Sequence, residues 1–297
     1  MSSTVIIIPS RLQAQRLPDK PLKLINQKEM ILHVCEKAEQ AVGIENVYVA
    51  TENEEIAKVV RGNGYSVVIT SDNCLTGTDR VAEASQEIDA DIFVNVQGDE
   101  PLINADDIKK IIKAKIKFSK HVICGYSNLR NDESVDNKNI PKVVMNKKSE
   151  LMYISRSAIP SLKGKKIKKP KFFKQVCIYG FSKNDLNLFS NFKKKTFLEN
   201  YEDIEILRFL ENGKKVKMIK LNSHSYAIDT YNDIQKVCKN SDLVILHTEW
   251  DEFKSLDFKK LVKNKKFKVF DLRNLYNQKE MIQKKIKYYS VGRPNIN

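Results

Sequence analysis

An α/β fold built on a mainly parallel sheet is predicted by three features: short, fully apolar runs, amphipathic stretches between them, and glycines that close those stretches. The first run, VIII at residues 5–8, has four β-branched residues, the pattern of a strand buried on both faces, and Pro9 is expected to stop it. The loop after it carries the cations Arg11, Arg16 and Lys20 and is stiffened by Pro18 and Pro21. Ligands of open α/β sheets sit beyond the carboxyl ends of strands, so a stiff cationic loop there points to an anion. Neither G-x-G-x-x-G nor G-x-x-x-x-G-K-[ST] follows the strand. If phosphates bind, guanidinium and ammonium groups must hold much of their charge.

The spacing of Met30, Ile31, Val34, Ala38 and Ala41 predicts a helix over 29–42, closed by Gly43. VYVA (47–50) reads as a second strand, 54–61 as a helix ending at Gly62, and SVVIT (66–70) as a third strand. TGTDR (76–80) falls in a turn that enters a helix near Asp79. Its hydroxyls, its glycine and the amides of a helix start can hold a phosphate or the polar edge of a nucleotide, and an ordinary N-cap has the same make-up. A fourth strand, IFVNV (92–96), runs into QGDEP (97–101). There Gly98 would let the backbone approach a ligand, and Asp99 and Glu100 fall where a strand's end reaches the crevice. An acidic group opposite a basic loop points to a divalent metal between carboxylate and phosphates.

Residues 137–180 read as shorter strands, PKVVM, LMYIS and KQVCIYGF, with Arg156 of RSAIP just after the second. One arginine there binds a carboxylate bidentately or forms a surface ion pair. NYEDIEILRFLE (200–211) reads as a single helix ended by Gly213, with Glu202 and Glu205 on one face. A strand near 216–219 follows, and in SYAIDTYND Asp229 and Thr230 end a further apolar run. Asp99 and Asp229 therefore occupy equivalent places after short strands, and two such carboxylates can converge on one metal.

A chain of 297 residues with 41% hydrophobic and 30% charged residues is long enough for a sizeable core in one or two domains. No apolar run reaches 18 residues and the start lacks a signal-peptide pattern, so no membrane span or export is expected. Five scattered cysteines without a C-x-x-C pair give neither a zinc site nor a disulfide framework and fit a reducing cytoplasm. A net charge of +15 raises a competing class, a nucleic-acid-binding protein. Its excess is lysine, scattered over KKIIKAKIK, KGKKIKKPK, FKKK and KNKKFK, whereas specific phosphate and base readout favours arginine. With no zinc-finger, helix-turn-helix or RNP-type pattern, neither nucleic acid nor membrane is expected as a partner. The run at 163–171, with Gly164 and Pro170, is expected to be an exposed loop.

The ordered motifs IIPSR..QRLPDKPL, TGTDR, VNVQGDEPLI, SRSAIP, KQVCIYGF, E-x-x-E-x-L-R and IDT..DI closely resemble the CMP-Kdo synthetases, the 3-deoxy-manno-octulosonate cytidylyltransferases, over 5–237. The resemblance implies a Rossmann-like nucleotide-diphospho-sugar transferase fold. It implies attack of an acidic sugar's anomeric hydroxyl on the α-phosphorus of CTP, giving a CMP-sugar for lipopolysaccharide and pyrophosphate. Arg11, Arg16 and Lys20 would hold the triphosphate, and Asp99 and Asp229 would be Mg²⁺ ligands. Gln97 and Thr76, Gly77, Thr78 and Arg80 of the turn would contact nucleotide or sugar. Arg156 would pair with the sugar carboxylate, and Gln175, Tyr179, Glu202 and Glu205 match sugar-side positions. A homodimer is implied as well. The chain departs from the pattern where Ala14 and Asp19 replace a more usual Ser and Gly, where Gln175 replaces a frequent His, and where Ile206 replaces a common Gln. The last two lie on the sugar side, so a related sugar such as an amino-substituted Kdo stays open.

A cytidylyltransferase domain is therefore expected over 1–240, followed by a small α/β extension over 241–297. In the extension DLVIL (242–246) and KVFDLRNLY (268–276) read as strands, and TEWDEF, FDLRN and YYSVGRP resemble the end of the UDP-binding domain of UDP-glucose dehydrogenases. The nicotinamide domain and catalytic-cysteine segment of those enzymes are missing, so their activity does not follow. Asp271, Arg273 and Arg293 are candidates for binding a nucleotide, a partner or the first domain, against a simple packing role, and His247 and Trp250 read as structural.

Overall fold

The computed structural model describes residues 3–12, 19–25, 28–98, 100, 103–130, 133–161, 171–192, 194–222, 243–246, 258 and 267–293. The chain divides into two compact units, one of Met1–Leu22 with Met30–Ser225, the other of Lys23–Glu29 with Tyr226–Asn297.

The first unit is organised around β1 (Thr4–Pro9), which pairs in parallel with β4 (Val47–Thr51) on one side and β6 (Ile92–Val96) on the other. Its run is apolar throughout because each face meets its own core. Val5 and Ile7 join one cluster, Ile6 and Ile8 the other, and Ile6, Ile7 and Ile8 are fully buried. Each such side chain contributes about 1.5–3 kcal/mol of hydrophobic stabilisation. The strand ends at Pro9, as expected; Pro9 is its last residue, in register with Ala50, and one further backbone bond runs from the Ser10 amide to the Ala50 carbonyl at 2.9 Å.

The other elements follow the predicted alternation: α1 (Met30–Val42), α2 (Glu54–Gly62), β5 (Ser66–Ile69), α3 (Gly77–Ala84), α4 (Ala105–Lys117) and β7 (Val122–Asn128). The second half of the unit holds β8 (Lys142–Met145), β9 (Leu151–Ser155), β10 (Phe173–Ser182), α5 (Lys183–Ser190), α6 (Phe197–Glu202), α7 (Ile206–Glu211) and β11 (Val216–Lys220). The main sheet runs β11-β7-β10-β6-β1-β4-β5 and is parallel except for β10, which is antiparallel to β6 and β7. β8 pairs with one end of β10 and with β9. This is the expected mixed, mainly parallel α/β sheet. At ten residues β10 is longer than the short strand expected there, because it spans the central sheet and the β8 branch. α4 and α5 are joined by a buried ion pair, Lys115 Nζ to Asp185 Oδ2 at 2.6 Å, and two backbone carbonyls, of Ser119 and His121, complete the ammonium's contacts. Burial lowers the Lys115 pKa, and the charges of Lys115 and Lys214 hold Asp185 ionised against the opposing effect of burial.

The second unit is described in part and includes a two-stranded antiparallel ladder, β2 (Leu24–Ile25) with β3 (Lys28–Glu29). Its parallel sheet comprises β12 (Leu243–Leu246), β13 (Lys268–Asp271) and β14 (Lys287–Ser290), with α8 (Gln278–Gln283) between the last two. The expected strand over 268–276 ends at Asp271, whose buried carboxylate accepts from the amides of Arg273 and Tyr276 and from the Tyr288 hydroxyl, folding the chain into a turn. Val244, Leu246, Val269, Met281 and Tyr288 belong to its own core. His247, Trp250 and the lysine-rich run at 163–170 lie outside the described residues.

Candidate active site

The TGTDR turn is the N-terminus of α3. Thr76 caps the helix: its Oγ accepts from the Asp79 amide at 3.1 Å and donates to Asp79 Oδ2 at 2.7 Å. The helix therefore begins at Gly77, two residues before the position expected from sequence. Glu205 closes this terminus from across the fold, accepting from the Gly77 amide at 2.9 Å and from the Thr78 hydroxyl. A carboxylate suits the place, since the first amides of a helix lack intrahelical partners and carry the positive end of its dipole. Gln97 lies against the same turn, because a Cβ on Gly77 would sit 3.2 Å from Gln97 Oε1 and 3.4 Å from Glu205 Oε1. A side chain there would have to push one of them back by a few tenths of an ångström. Beneath it the Asn95 amide donates to Thr78 Oγ at 3.4 Å, while Asn95 Oδ1 is buried without a partner. Burial, with the Asp79 charge, raises the Glu205 pKa against the hydrogen bonds from Thr78 and Gly77.

Arg80 of the same motif turns inward. It is 4% exposed, forms a 2.7 Å ion pair with Glu52 and donates to the Thr70 hydroxyl and the Ser71 carbonyl. Its charge braces the segments after β4 and β5 instead of facing a ligand. Tyr179 of β10 is in register with Asn95, and its hydroxyl accepts from Gln175 Nε2 at 3.0 Å. Both are buried. Burial pushes the Tyr179 phenol up and the neighbouring Cys124 thiol up to about 12, so beside Glu205 stands a neutral hydrogen-bonding set.

The helix expected over 200–211 is broken. Asp203 adopts φ 51°, in the left-handed region, so α6 ends and α7 starts afresh. Glu202 and Glu205 consequently do not share a face, which corrects the spacing argument. Glu205 serves the TGTDR turn. Glu202 accepts from the Ser155 hydroxyl at 2.6 Å and the Arg156 amide at 2.8 Å, at the end of β9. The Arg156 guanidinium donates to the carbonyls of Glu202 (2.5 Å), Lys138 (3.0 Å) and Asp203 (2.9 Å) and lies 3.8 Å from the Asp203 carboxylate. The hydrogen bond from Lys195, then the charges of Arg156 and Arg11, hold Asp203 below the usual carboxylate range, which brings the Arg11 loop into the electrostatics of this elbow.

Arg208 ends the E-x-x-E-x-L-R motif and Asp79 belongs to TGTDR, but the sequence assigned neither a role and gave no sign of Glu199. The Arg208 side chain is 1% exposed, bidentate to Glu199 with both contacts at 2.7 Å, bound to Asp79 Oδ1 at 2.7 Å, and stacked on Phe189 with 3.7 Å to the ring centre. The signal available was an arginine between Leu207 and Phe209 inside an apolar stretch. Gly98 also has a different task from the one expected. A Cβ there would meet the Pro9 carbonyl at 2.9 Å, so the close approach is between β1 and the loop after β6, not toward a ligand. Arg11 is exposed, and Lys20 opens a short 3-10 turn (Lys20–Leu22) after Asp19, whose φ is 55°. Arg16, Asp99 and Asp229 lie outside the described residues.

Five stretches distant in sequence thus meet: the 76–80 turn, 95–97, 155–156, 175–179 and the 202–208 elbow. A family model for cytidylyltransferases matches residues 5–216, and one for the UDP-binding domain of the UDP-glucose/GDP-mannose dehydrogenase family matches 205–278. The 3-deoxy-manno-octulosonate cytidylyltransferase 2 of Hydrogenovibrio crunogenus is 37% identical over 239 residues, 78% of this chain and 95% of that protein. The 8-amino-3,8-dideoxy-manno-octulosonate cytidylyltransferase of Shewanella sp. (strain ANA-3) is 35% identical over 243 residues, 79% of this chain and 96% of that protein. The structure of a CMP:2-keto-3-deoxy-manno-octonic acid synthetase complexed with CTP superposes with a TM-score of 0.72 at 31% identity, covering 80% of this chain and 97% of that one. The chain belongs to the cytidylyltransferase family, whose 3-deoxy-manno-octulosonate members it matches along nearly their whole length.

Proposed function

We propose that the protein makes CMP-Kdo from CTP and 3-deoxy-manno-octulosonate for lipopolysaccharide biosynthesis. The sugar's anomeric oxygen forms a bond to the α-phosphorus, the α–β phosphoanhydride bond breaks, and pyrophosphate leaves with the bonding electrons while the hydroxyl proton is released. The observation that carries this reading is the convergence of the five motif segments around Gly77, Thr78 and Glu205. Arg11, Arg16 and Lys20 offset the charge of the triphosphate and of the leaving pyrophosphate. Gln97 and the 76–80 turn face the nucleotide, with Arg80 as an internal brace. Arg156 takes the sugar carboxylate, and Gln175 and Tyr179 set the neutral side of the sugar site. Glu202 and Glu205, both engaged by protein donors, hold the Arg156 segment and the turn in place.

Mg²⁺ is the cofactor in this reading. Among the described residues no group of three or more His, Cys, Asp or Glu side chains could hold a metal, and Asp99 and Asp229 are the ligands we assign to it. When bound, the ion supplies charge to the α-phosphate and acidifies the attacking hydroxyl. We place the reaction in the cytoplasm, which agrees with unbridged Cys35, Cys74 and Cys124. The working form is a homodimer, a reading supported by large exposed apolar side chains on β9 and α6: Met152, 65% exposed, and the neighbouring rings of Phe197 and Tyr201, 69% and 76%.

A pyrophosphate-release screen of CTP, UTP and GTP against Kdo, 8-amino-Kdo and neuraminic acid tests the assignment. Turnover is expected with CTP and Kdo; turnover with CTP and 8-amino-Kdo alone would reassign the sugar, and full activity in EDTA would remove the metal.

A further inference from the structure

We propose that Arg208 is a positioning residue that fixes the 76–80 turn for nucleotide binding. The proposal deepens the cytidylyltransferase reading and rests on it. Arg208 lies on α7, three residues after Glu205, and neither residue acts alone on the turn. Glu205 grips its front through the Gly77 amide and the Thr78 hydroxyl, while Arg208 grips its back through both carboxylate oxygens of Asp79, at 2.7 and 3.3 Å. Asp79 is itself tied to the cap, because its Oδ2 accepts from the Thr76 hydroxyl. The turn is therefore clamped between a side chain of α7 and that of the residue at its N-cap.

The clamp is anchored on the far side. Glu199 of α6 takes the other edge of the guanidinium with two bonds and also closes the Thr196 capping box, accepting from the Thr196 amide at 3.2 Å. Glu211 reinforces that cap through the Leu198 amide at 2.9 Å. The guanidinium rests on the Phe189 ring, fixing its plane. Lysine could supply the charge but not the fork that joins Asp79 to Glu199. The arrangement differs from a plain buried ion pair because its far end is the segment expected to hold CTP.

The test compares steady-state kinetics of Arg208→Lys and Asp79→Asn with wild type, using CTP and Kdo, and records folding by circular dichroism. Asp79→Asn keeps the shape and the Thr76 cap, so it preserves the test if Arg208→Lys does not fold. Both variants are expected to raise KM for CTP by about tenfold while KM for Kdo stays within about twofold, since misplacement near a bound substrate is costly even without lost contacts. A merely structural role lowers the melting temperature and leaves that split unmoved. Folded variants with wild-type KM for CTP would overturn the proposal. Inactive wild type with every nucleotide and sugar pair would instead remove the cytidylyltransferase reading and the proposal with it.

Discussion

Asp19 stands where a glycine is more usual, and its φ of 55° explains the preference: the backbone there is left-handed, which costs L residues about 1–2 kcal/mol, less for Asp. Asp19→Gly is expected to stabilise the protein by about 0.5 kcal/mol, after glycine's larger chain entropy is counted, in urea melts. It also removes a carboxylate from a cationic loop, so KM for CTP should fall; a rise would reject the triphosphate role of that loop. Glu205 gives a second test at this scale. Its pKa is raised by burial, so between the unfolded and folded values the folded state holds more protons, and its contribution to stability falls as pH rises through that window. Glu205→Gln removes this fall. The difference in unfolding free energy should therefore move in the variant's favour as pH rises above the ordinary glutamate range. Turnover should drop about tenfold or more, because the amide nitrogen that replaces one carboxylate oxygen cannot accept the bond that oxygen takes from Gly77 or Thr78. An unchanged rate would mean that the clamp on the turn is dispensable.

At the scale of elements, what the sequence made legible was whatever repeats along the chain. β1 was readable because burial on both faces forces an unbroken apolar run, and α1 because one buried stripe forces helical spacing. The elbow was not readable. E-x-x-E spacing is the same whether the helix continues or breaks, and the break is a single left-handed residue, Asp203, with no periodicity of its own. Nor was the Arg208 clamp, whose partners Glu199 and Asp79 lie 9 and 129 residues away and meet only in the folded chain. The elbow can be probed directly. Asp203→Gly keeps the left-handed turn and loses the ion pairs of the Asp203 carboxylate with Lys195 and, at 3.8 Å, with Arg156, each worth little because that carboxylate is 70% exposed. Asp203→Ala favours a continuous helix and strains the turn by about 1–2 kcal/mol. We expect near-native kinetics from the glycine variant and a loss of turnover from the alanine variant. Equal activity of the two would show that the divergence of Glu202 and Glu205 is unimportant.

For the whole molecule the question is which residues the reaction needs. The cytidylyltransferase match ends at 216, yet the reading given above assigns Asp229 to the metal, and the first compact unit ends at Ser225. Chains stopped after 240 and after 225 separate these boundaries, since they differ in whether Asp229 is retained. The longer chain loses β12, β13, α8 and β14 together with their own small core, and no assigned catalytic group. It is expected to release pyrophosphate with unchanged kcat and KM. The shorter chain lacks a proposed Mg²⁺ ligand and should lose turnover by orders of magnitude while still showing the circular dichroism of a folded α/β unit. Adding Asp229→Asn to the longer chain guards against a trivial loss of folding, because it should reproduce the defect of the shorter one without deleting any backbone. If the longer chain is inactive, the segment after 240 is part of the enzyme and not an extension of it. If Asp229→Asn is as active as its parent, the metal is held elsewhere.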